Sequence, residues 1–196
     1  MRQPRQNVQY MNRKSRRHYK TTSKRLADSD SEEEDDTDLF DYDGNNIYFY
    51  CGVTRKSVLM LNQALNEINQ VLATGEIKFG VAGMINMYIH SDGGDLFAGM
   101  SAFEHIRRNK YKVKTIVDGS VGSAATLIAM AGHERVMYNT SMVLIHQLRT
   151  EFWGKFEELQ DEMKTSDKCM NMLKTLYLNH TKLTSKQPRA HQLKQT

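Results

Sequence analysis

A serine and a histidine in the second half of this sequence stand where their types and spacing allow acyl-transfer chemistry. Ser123 lies in the run Gly119-Ser120-Val121-Gly122-Ser123-Ala124-Ala125, between a β-branched apolar stretch, Val113 to Val117, and a helix-forming one, Thr126 to Ala131. That order predicts a buried strand, a tight turn and a buried helix, with Ser123 at or near the helix N-terminus. A second apolar strand, Met142 to Ile145, delivers His146. A hydroxyl at a helix start has unpaired backbone N–H groups and a positive dipole end beside it, which favour an oxyanion. An imidazole within reach takes the hydroxyl's proton, making Ser123 a candidate nucleophile and His146 its general base. The simpler reading of the same residues is a helix cap and a satisfied strand end, because such pairs are recognised by geometry and not by sequence distance.

The elements that must position this pair alternate along the chain. Ile47 to Val53 has strand character, and Ser57 to Leu72 repeats apolar residues at helical spacing behind Ser57 as a cap. Ala73 to Gly83 contains three glycines and reads as a loop. Met84 to Ile89 is a buried strand that stops at His90-Ser91-Asp92-Gly93-Gly94-Asp95, and Leu96 to Arg107 returns to helix. Alternating strands and helices predict a layered α/β domain with mostly parallel strands. A glycine pair at a strand's carboxyl end lets the backbone approach a ligand, and sites in such sheets gather at those ends. After the histidine comes a loop, Leu148 to Gly154, then a long polar helix, Lys155 to Leu178. Its apolar positions Phe156, Leu159, Met163, Met170, Leu173, Leu176 and Tyr177 form a stripe suited to packing against another chain. Met142, Met163, Met170 and Met172 read as gap-filling core.

Composition narrows the class. The formal net charge of +4 hides an asymmetry: residues 1–26 contain nine Lys or Arg and no acid, and residues 27–43 contain ten Asp or Glu and no base. Such a segment buries too little apolar surface to offset its ordering entropy, so residues 1–45 are expected to be a disordered tail. Its basic cluster, Arg13, Lys14, Arg16 and Arg17, suits a polyanion, but no aromatic platform accompanies it and nucleic-acid binding is not expected. Cys51 and Cys169 match no metal spacing and imply no disulfide framework. His90, His105 and His133 read as surface or structural residues, and neither metal nor cofactor is expected. No apolar run reaches the length of a membrane span and the basic start lacks a secretory core, so a soluble cytoplasmic protein is expected, with an organelle stroma or matrix as the other setting.

With these pieces in order, residues 46–185 resemble ClpP, the proteolytic subunit of the Clp protease, and its serine-peptidase family. Ile47 to Val53 is similar to the family's opening strand, and Ile89-His90-Ser91-Asp92-Gly93-Gly94-Asp95-Leu96-Phe97-Ala98-Gly99 to its strand-N-S-P-G-G motif, with Asp92 in place of proline. Gly119-Ser120-Val121-Gly122-Ser123-Ala124 resembles the nucleophile motif, Leu144-Ile145-His146-Gln147-Leu148 the histidine motif, and Gly154 the glycine that opens the family's handle helix. The resemblance implies a crotonase-like layered domain that hydrolyses peptide bonds. Ser123 would attack, His146 would accept and return the proton, and the backbone N–H groups of Gly94 and Ala124 would form an oxyanion hole. It also implies a homo-oligomeric ring fed with peptide or unfolded protein by an ATP-dependent AAA+ unfoldase.

The family's orienting aspartate follows the histidine in a C-terminal segment, and here no Asp or Glu follows Asp167. Asp167 itself lies on the handle-like helix and is a poor substitute. The resemblance therefore predicts a domain truncated at its C-terminus, with 186–196 as an irregular tail. Two other classes follow from the same residues. One is a catalytically impaired ring subunit, suggested by the missing acid. The other is an acyl-CoA enzyme on a crotonase-like fold, which has no need of Ser123 and His146.

Overall fold

The computed structural model describes residues 39–79, 83–149 and 154–184. The expected tail and the final irregular segment lie largely outside these residues. Six strands and four helices are present among them: β1 (Phe40–Asp43), β2 (Asn46–Phe49), α1 (Arg55–Phe79), β3 (Ile85–Ser91), α2 (Leu96–Arg107), β4 (Val113–Gly122), α3 (Ala125–Ala131), β5 (Glu134–Met137), β6 (Met142–Leu144) and α4 (Phe156–His180).

The sheet runs β1-β2-β3-β4-β5, and only β1 pairs antiparallel. Because β3 occupies one edge of β4, β5 and β6 share the other edge end to end: Lys114 to Val117 face β5, and Ser120 to Gly122 face β6. Alternation along the strands sorts their side chains. Ile47, Phe49, Ile85, Met87, Ile89, Val113, Val117 and Val121 are buried and meet Val58, Leu61, Leu65 and Ile68 of α1, Ala102, Phe103 and Ile106 of α2, and Leu127 and Ile128 of α3. Truncating a fully buried leucine or isoleucine among them to alanine would cost about 2–5 kcal/mol. The opposite sheet face carries polar aromatics: Tyr48 stacks on Tyr88 at 5.3 Å between ring centroids, and the Tyr50 hydroxyl donates to Asp118 at 2.5 Å. Burial first, and then that bond to a carboxylate, push the Tyr50 phenol well above its ordinary range.

Several local expectations change. Strand structure is present before Asn46, because Phe40–Asp43 folds back on β2 and Phe40 packs edge-on against Phe49 at 6.0 Å. The turn between the two strands places Gly44 at a left-handed φ of 60°. Residues expected to form a loop after Leu72 instead continue α1 through Gly75 to Phe79. A mid-helix glycine costs only about 1 kcal/mol, and the bond from the Tyr111 hydroxyl to Glu76 at 2.6 Å helps to anchor the extension. Ser57 is not a cap: it is buried in the first turn, where its hydroxyl donates to the Gly52 carbonyl at 2.8 Å and Thr54 caps its N–H. β5 was not anticipated, its four residues being exposed and without apolar alternation.

The methionine reading fails for Met142, Met163 and Met172, which are exposed. Met170 is half-buried, and its sulfur accepts the Leu148 N–H at 3.3 Å. The α4 stripe divides: Leu173, Leu176 and Tyr177 pack on the chain's own core, whereas Phe156 and Met163 are exposed.

Candidate active site

β4 ends at Gly122 and α3 starts at Ala125, so the chain turns from strand to helix within Ser123 and Ala124. Ser123 makes that turn with a φ of 48°, the left-handed region, and is the sole non-glycine there among the described residues. The conformation costs about 1–3 kcal/mol and persists where the surroundings over-determine it. Here both ends of the residue are pinned. Its N–H donates to the Leu144 carbonyl at 3.0 Å, extending the β4–β6 ladder by one bond, and its carbonyl accepts the Thr126 N–H at 3.0 Å and the Thr126 hydroxyl at 2.5 Å. A sharp strand-to-helix turn of this kind thrusts the serine Oγ out of the sheet.

The cap reading is overturned. α3 has no side-chain cap, its N-cap residue is Ala124, and among the described residues the Ser123 hydroxyl has no hydrogen-bond partner. α3 has only seven residues, so the individual N–H groups matter more than a helix dipole.

The glycine pair closes against this turn. Gly93 has a φ of 105°, and a Cβ there would lie 2.6 Å from the Ser123 Cβ and 2.9 Å from the Ala124 nitrogen. Only a residue without a side chain lets the two loops meet. Gly94 is fixed from the other side: the Val53 N–H donates to the Gly93 carbonyl and the Asp95 N–H to the Val53 carbonyl, each at 2.7 Å. In such a parallel bridge the flanking groups do the bonding and Gly94's own N–H stays out of it. Among the described residues neither the Gly94 nor the Ala124 N–H has an acceptor.

His146 arrives from β6. The Ser141 hydroxyl accepts the Gly119 N–H at 3.0 Å and donates to the Val117 carbonyl at 2.9 Å, which ties the start of β6 to β4. The register pairs Gly122 with Leu144, so the chain leaves β6 beside Ser123 and reaches His146 two residues later, at a strand spacing of about 4.8 Å. The ring is half-buried, and its Nδ1 lies 2.6 Å from the Gln147 carbonyl. A carbonyl only accepts, so Nδ1 is the donor in this contact, and in a neutral ring that leaves the lone pair on Nε2, the tautomer a general base needs. No hydrogen bond joins Ser123 to His146, and no described carboxylate bonds the ring. Asp167 is exposed on α4. Thr126, the residue that fixes the Ser123 carbonyl, was missed in the sequence because it sits in an apolar run; its spacing of three from Ser123 is the available signal.

Among the described residues, a strained serine with an unbonded hydroxyl, two unbonded amide hydrogens and a histidine delivered by β6 now have a context among known proteins. The family model described as Clp protease matches residues 56–192, well over half of the chain. The chain belongs to the Clp protease family. A curated relative, the ATP-dependent Clp protease proteolytic subunit of Deinococcus radiodurans, is 33% identical over 101 residues, 50% of this chain and 50% of the relative. The chain thus matches about half the length of that Clp relative. Among solved structures, a point mutant of ClpP1 from Listeria monocytogenes superposes with a TM-score of 0.61 at 20% identity, covering 72% of this chain and 74% of that one. At that identity the likeness speaks for the Clp fold: a mixed α/β layer with a mostly parallel sheet. None of the described helices is long and apolar enough to cross a membrane.

Proposed function

We propose that this Clp-family chain is a serine endopeptidase that cleaves peptide bonds by acyl transfer, with Ser123 as nucleophile and His146 as general base. In the first step the Ser123 Oγ bonds to the scissile carbonyl carbon while Nε2 of His146 takes its proton. The carbonyl's π electrons move to oxygen, and that oxyanion would accept hydrogen bonds from the Gly94 and Ala124 N–H groups. Each such donor is worth about 2.7–4 kcal/mol in the transition state. Collapse breaks the C–N bond, and the leaving amine takes the proton from Nε2. Water then repeats the sequence on the acyl-serine.

The observation that carries the reading is the unpartnered Ser123 hydroxyl on a left-handed turn, flanked by two amides that have no acceptor among the described residues. The Gln147 carbonyl supports the base tautomer of His146, part of what an orienting acid would do. Peptide or unfolded protein as substrate, a homo-oligomeric ring around it, an ATP-dependent unfoldase as feeder, a domain reaching from β1 to about residue 185, and a cytoplasmic or organellar setting belong to the same proposal.

Fluorophosphonate labelling tests it. The wild-type protein is expected to take one label, on Ser123, and Ser123→Ala to take none; a label that survives the substitution removes Ser123 from the mechanism. A second reading, a ring subunit without activity of its own, is favoured by the absence of a described carboxylate on His146. It predicts no labelling alone and co-purification with an active homologue.

A further inference from the structure

The Ser123 turn is fixed at its carbonyl by Thr126, and Thr126 is itself held by a residue from a distant part of the chain. The phenol of Tyr177, on α4, lies in hydrogen-bond contact with the Thr126 hydroxyl. A threonine hydroxyl has one hydrogen and two lone pairs. Its hydrogen is committed to the Ser123 carbonyl at 2.5 Å, since a carbonyl can only accept. Tyr177 must therefore be the donor, and the bonds run in one direction, phenol to hydroxyl to carbonyl. Such a chain polarises each successive link. Thr126 is buried, and burial pushes the Tyr177 phenol up, so the donor keeps its proton throughout the neutral range.

We infer that Tyr177 is a positioning residue for the Ser123 turn, acting through the Thr126 hydroxyl. The inference rests on the reading of Ser123 as nucleophile and adds to it a residue 51 positions beyond Thr126. A strained serine holds its backbone angle only as firmly as its surroundings do. The Leu144 carbonyl grips the amide end of Ser123, and the Tyr177–Thr126 pair grips the carbonyl end. The packing of Leu173 and Leu176 on the core keeps α4 in register for that contact. The carbonyl end matters for catalysis because the Ser123–Ala124 peptide also supplies the Ala124 N–H, so a rotation of this peptide moves the oxyanion donor away from the reacting carbonyl. Removing Tyr177's hydroxyl should thus slow bond formation at Ser123 without weakening encounter with the reagent.

The test compares Tyr177→Phe, Thr126→Val, Thr126→Ser and the Phe/Val double variant of the full chain, reacted with a fluorophosphonate. Loss of one directed bond should lower the maximal labelling rate about three- to tenfold with the half-saturating concentration unchanged. Thr126→Ser, which keeps the hydroxyl, should label like wild type. The double variant should be no slower than Thr126→Val, because the two groups act in series. Wild-type labelling by Tyr177→Phe, a slow Thr126→Ser, or multiplied effects in the double variant would overturn the inference. A separate arm measures amide hydrogen exchange over residues 119–127, which should quicken in Tyr177→Phe and Thr126→Val but not in Thr126→Ser. If wild type takes no label, the nucleophile reading falls and this arm alone decides the positioning role: unchanged exchange in Tyr177→Phe refutes it.

Discussion

Ser123 is bonded at both ends of its residue, to Leu144 on one side and to Thr126 on the other, whereas among the described residues the His146 ring is hydrogen-bonded only to the carbonyl of the next residue. The serine half of the site is cut from the sheet, α3 and the glycine loop together. The histidine half hangs from a three-residue strand, β6, and a half-buried segment reaching Met170 through one amide-to-sulfur bond. The difference teaches where precision is built in. On the proposed reading, the strained, crowded turn would fix the nucleophile and the N–H donors before substrate arrives, and His146 would complete its bond to Ser123 when the site is occupied. Catalytic hydrogen bonds are often long or unmade in empty sites and tighten on binding.

Substitutions on the two halves should then differ in kind. The largest effect is expected from His146→Ala, which leaves no acceptor for the serine proton; peptide turnover should fall by about a millionfold, with thermal stability nearly unchanged. Activity within tenfold of wild type would show that another group is the base. Gly93→Ala should cost about a hundredfold, because even an ångström's displacement of the glycine loop from Ser123 carries that penalty, and its melting temperature should fall as well. Retention of wild-type stability would mean that the loop contact is looser than 2.6 Å implies.

Ser123→Gly should gain about 1 kcal/mol in denaturant unfolding, since glycine adopts φ 48° without strain. A loss of stability would contradict strain at the turn. On the histidine half, Met170→Leu removes the sulfur acceptor while conserving volume and should change turnover by about twofold and stability by under 1.5 kcal/mol.

Tyr50→Phe, on the opposite sheet face, provides the smallest effect. Burial and the Asp118 bond raise the phenol in the folded state, so the folded protein holds that proton more tightly. Its contribution is complete below the unfolded value of about 10 and is lost as pH rises toward the folded value. The substitution should therefore flatten the loss of stability above that pH, visible in urea melts, and leave Ser123 labelling unaltered. An unchanged alkaline slope would remove Tyr50 from the linkage.

Periodicity and turn residues made much of this fold legible. α2 runs from Leu96 to Arg107 as expected, because its apolar positions repeat cleanly between an aspartate cap and a polar exit. β3, β4 and β6 were found as apolar runs, although β4 continues past Val117 through residues that read as turn and ends only at Gly122. β5 escaped because its side chains are exposed, and the end of α1 because tertiary contact from Tyr111 outweighed the local preference of Gly75. Ser123 and His146 were visible as residue types, but the features that make them a candidate site are backbone properties. A left-handed serine and two amides without acceptors among the described residues follow from ladder register and loop crowding, none of which any single residue encodes. Tyr177 was assigned to a stripe for another chain, and half of that stripe proved to pack inward because α4 folds back onto Phe103 and Thr126.

The most direct measurement is a crystal structure of the protein after reaction with a fluorophosphonate. The phosphorus should be bonded to the Ser123 Oγ, with one phosphoryl oxygen within hydrogen-bond distance of both the Gly94 and Ala124 N–H groups and the His146 Nε2 turned toward the Ser123 oxygen. Attachment at any other side chain, or a phosphoryl oxygen directed away from both amides, would contradict the assignment of this turn as the catalytic centre.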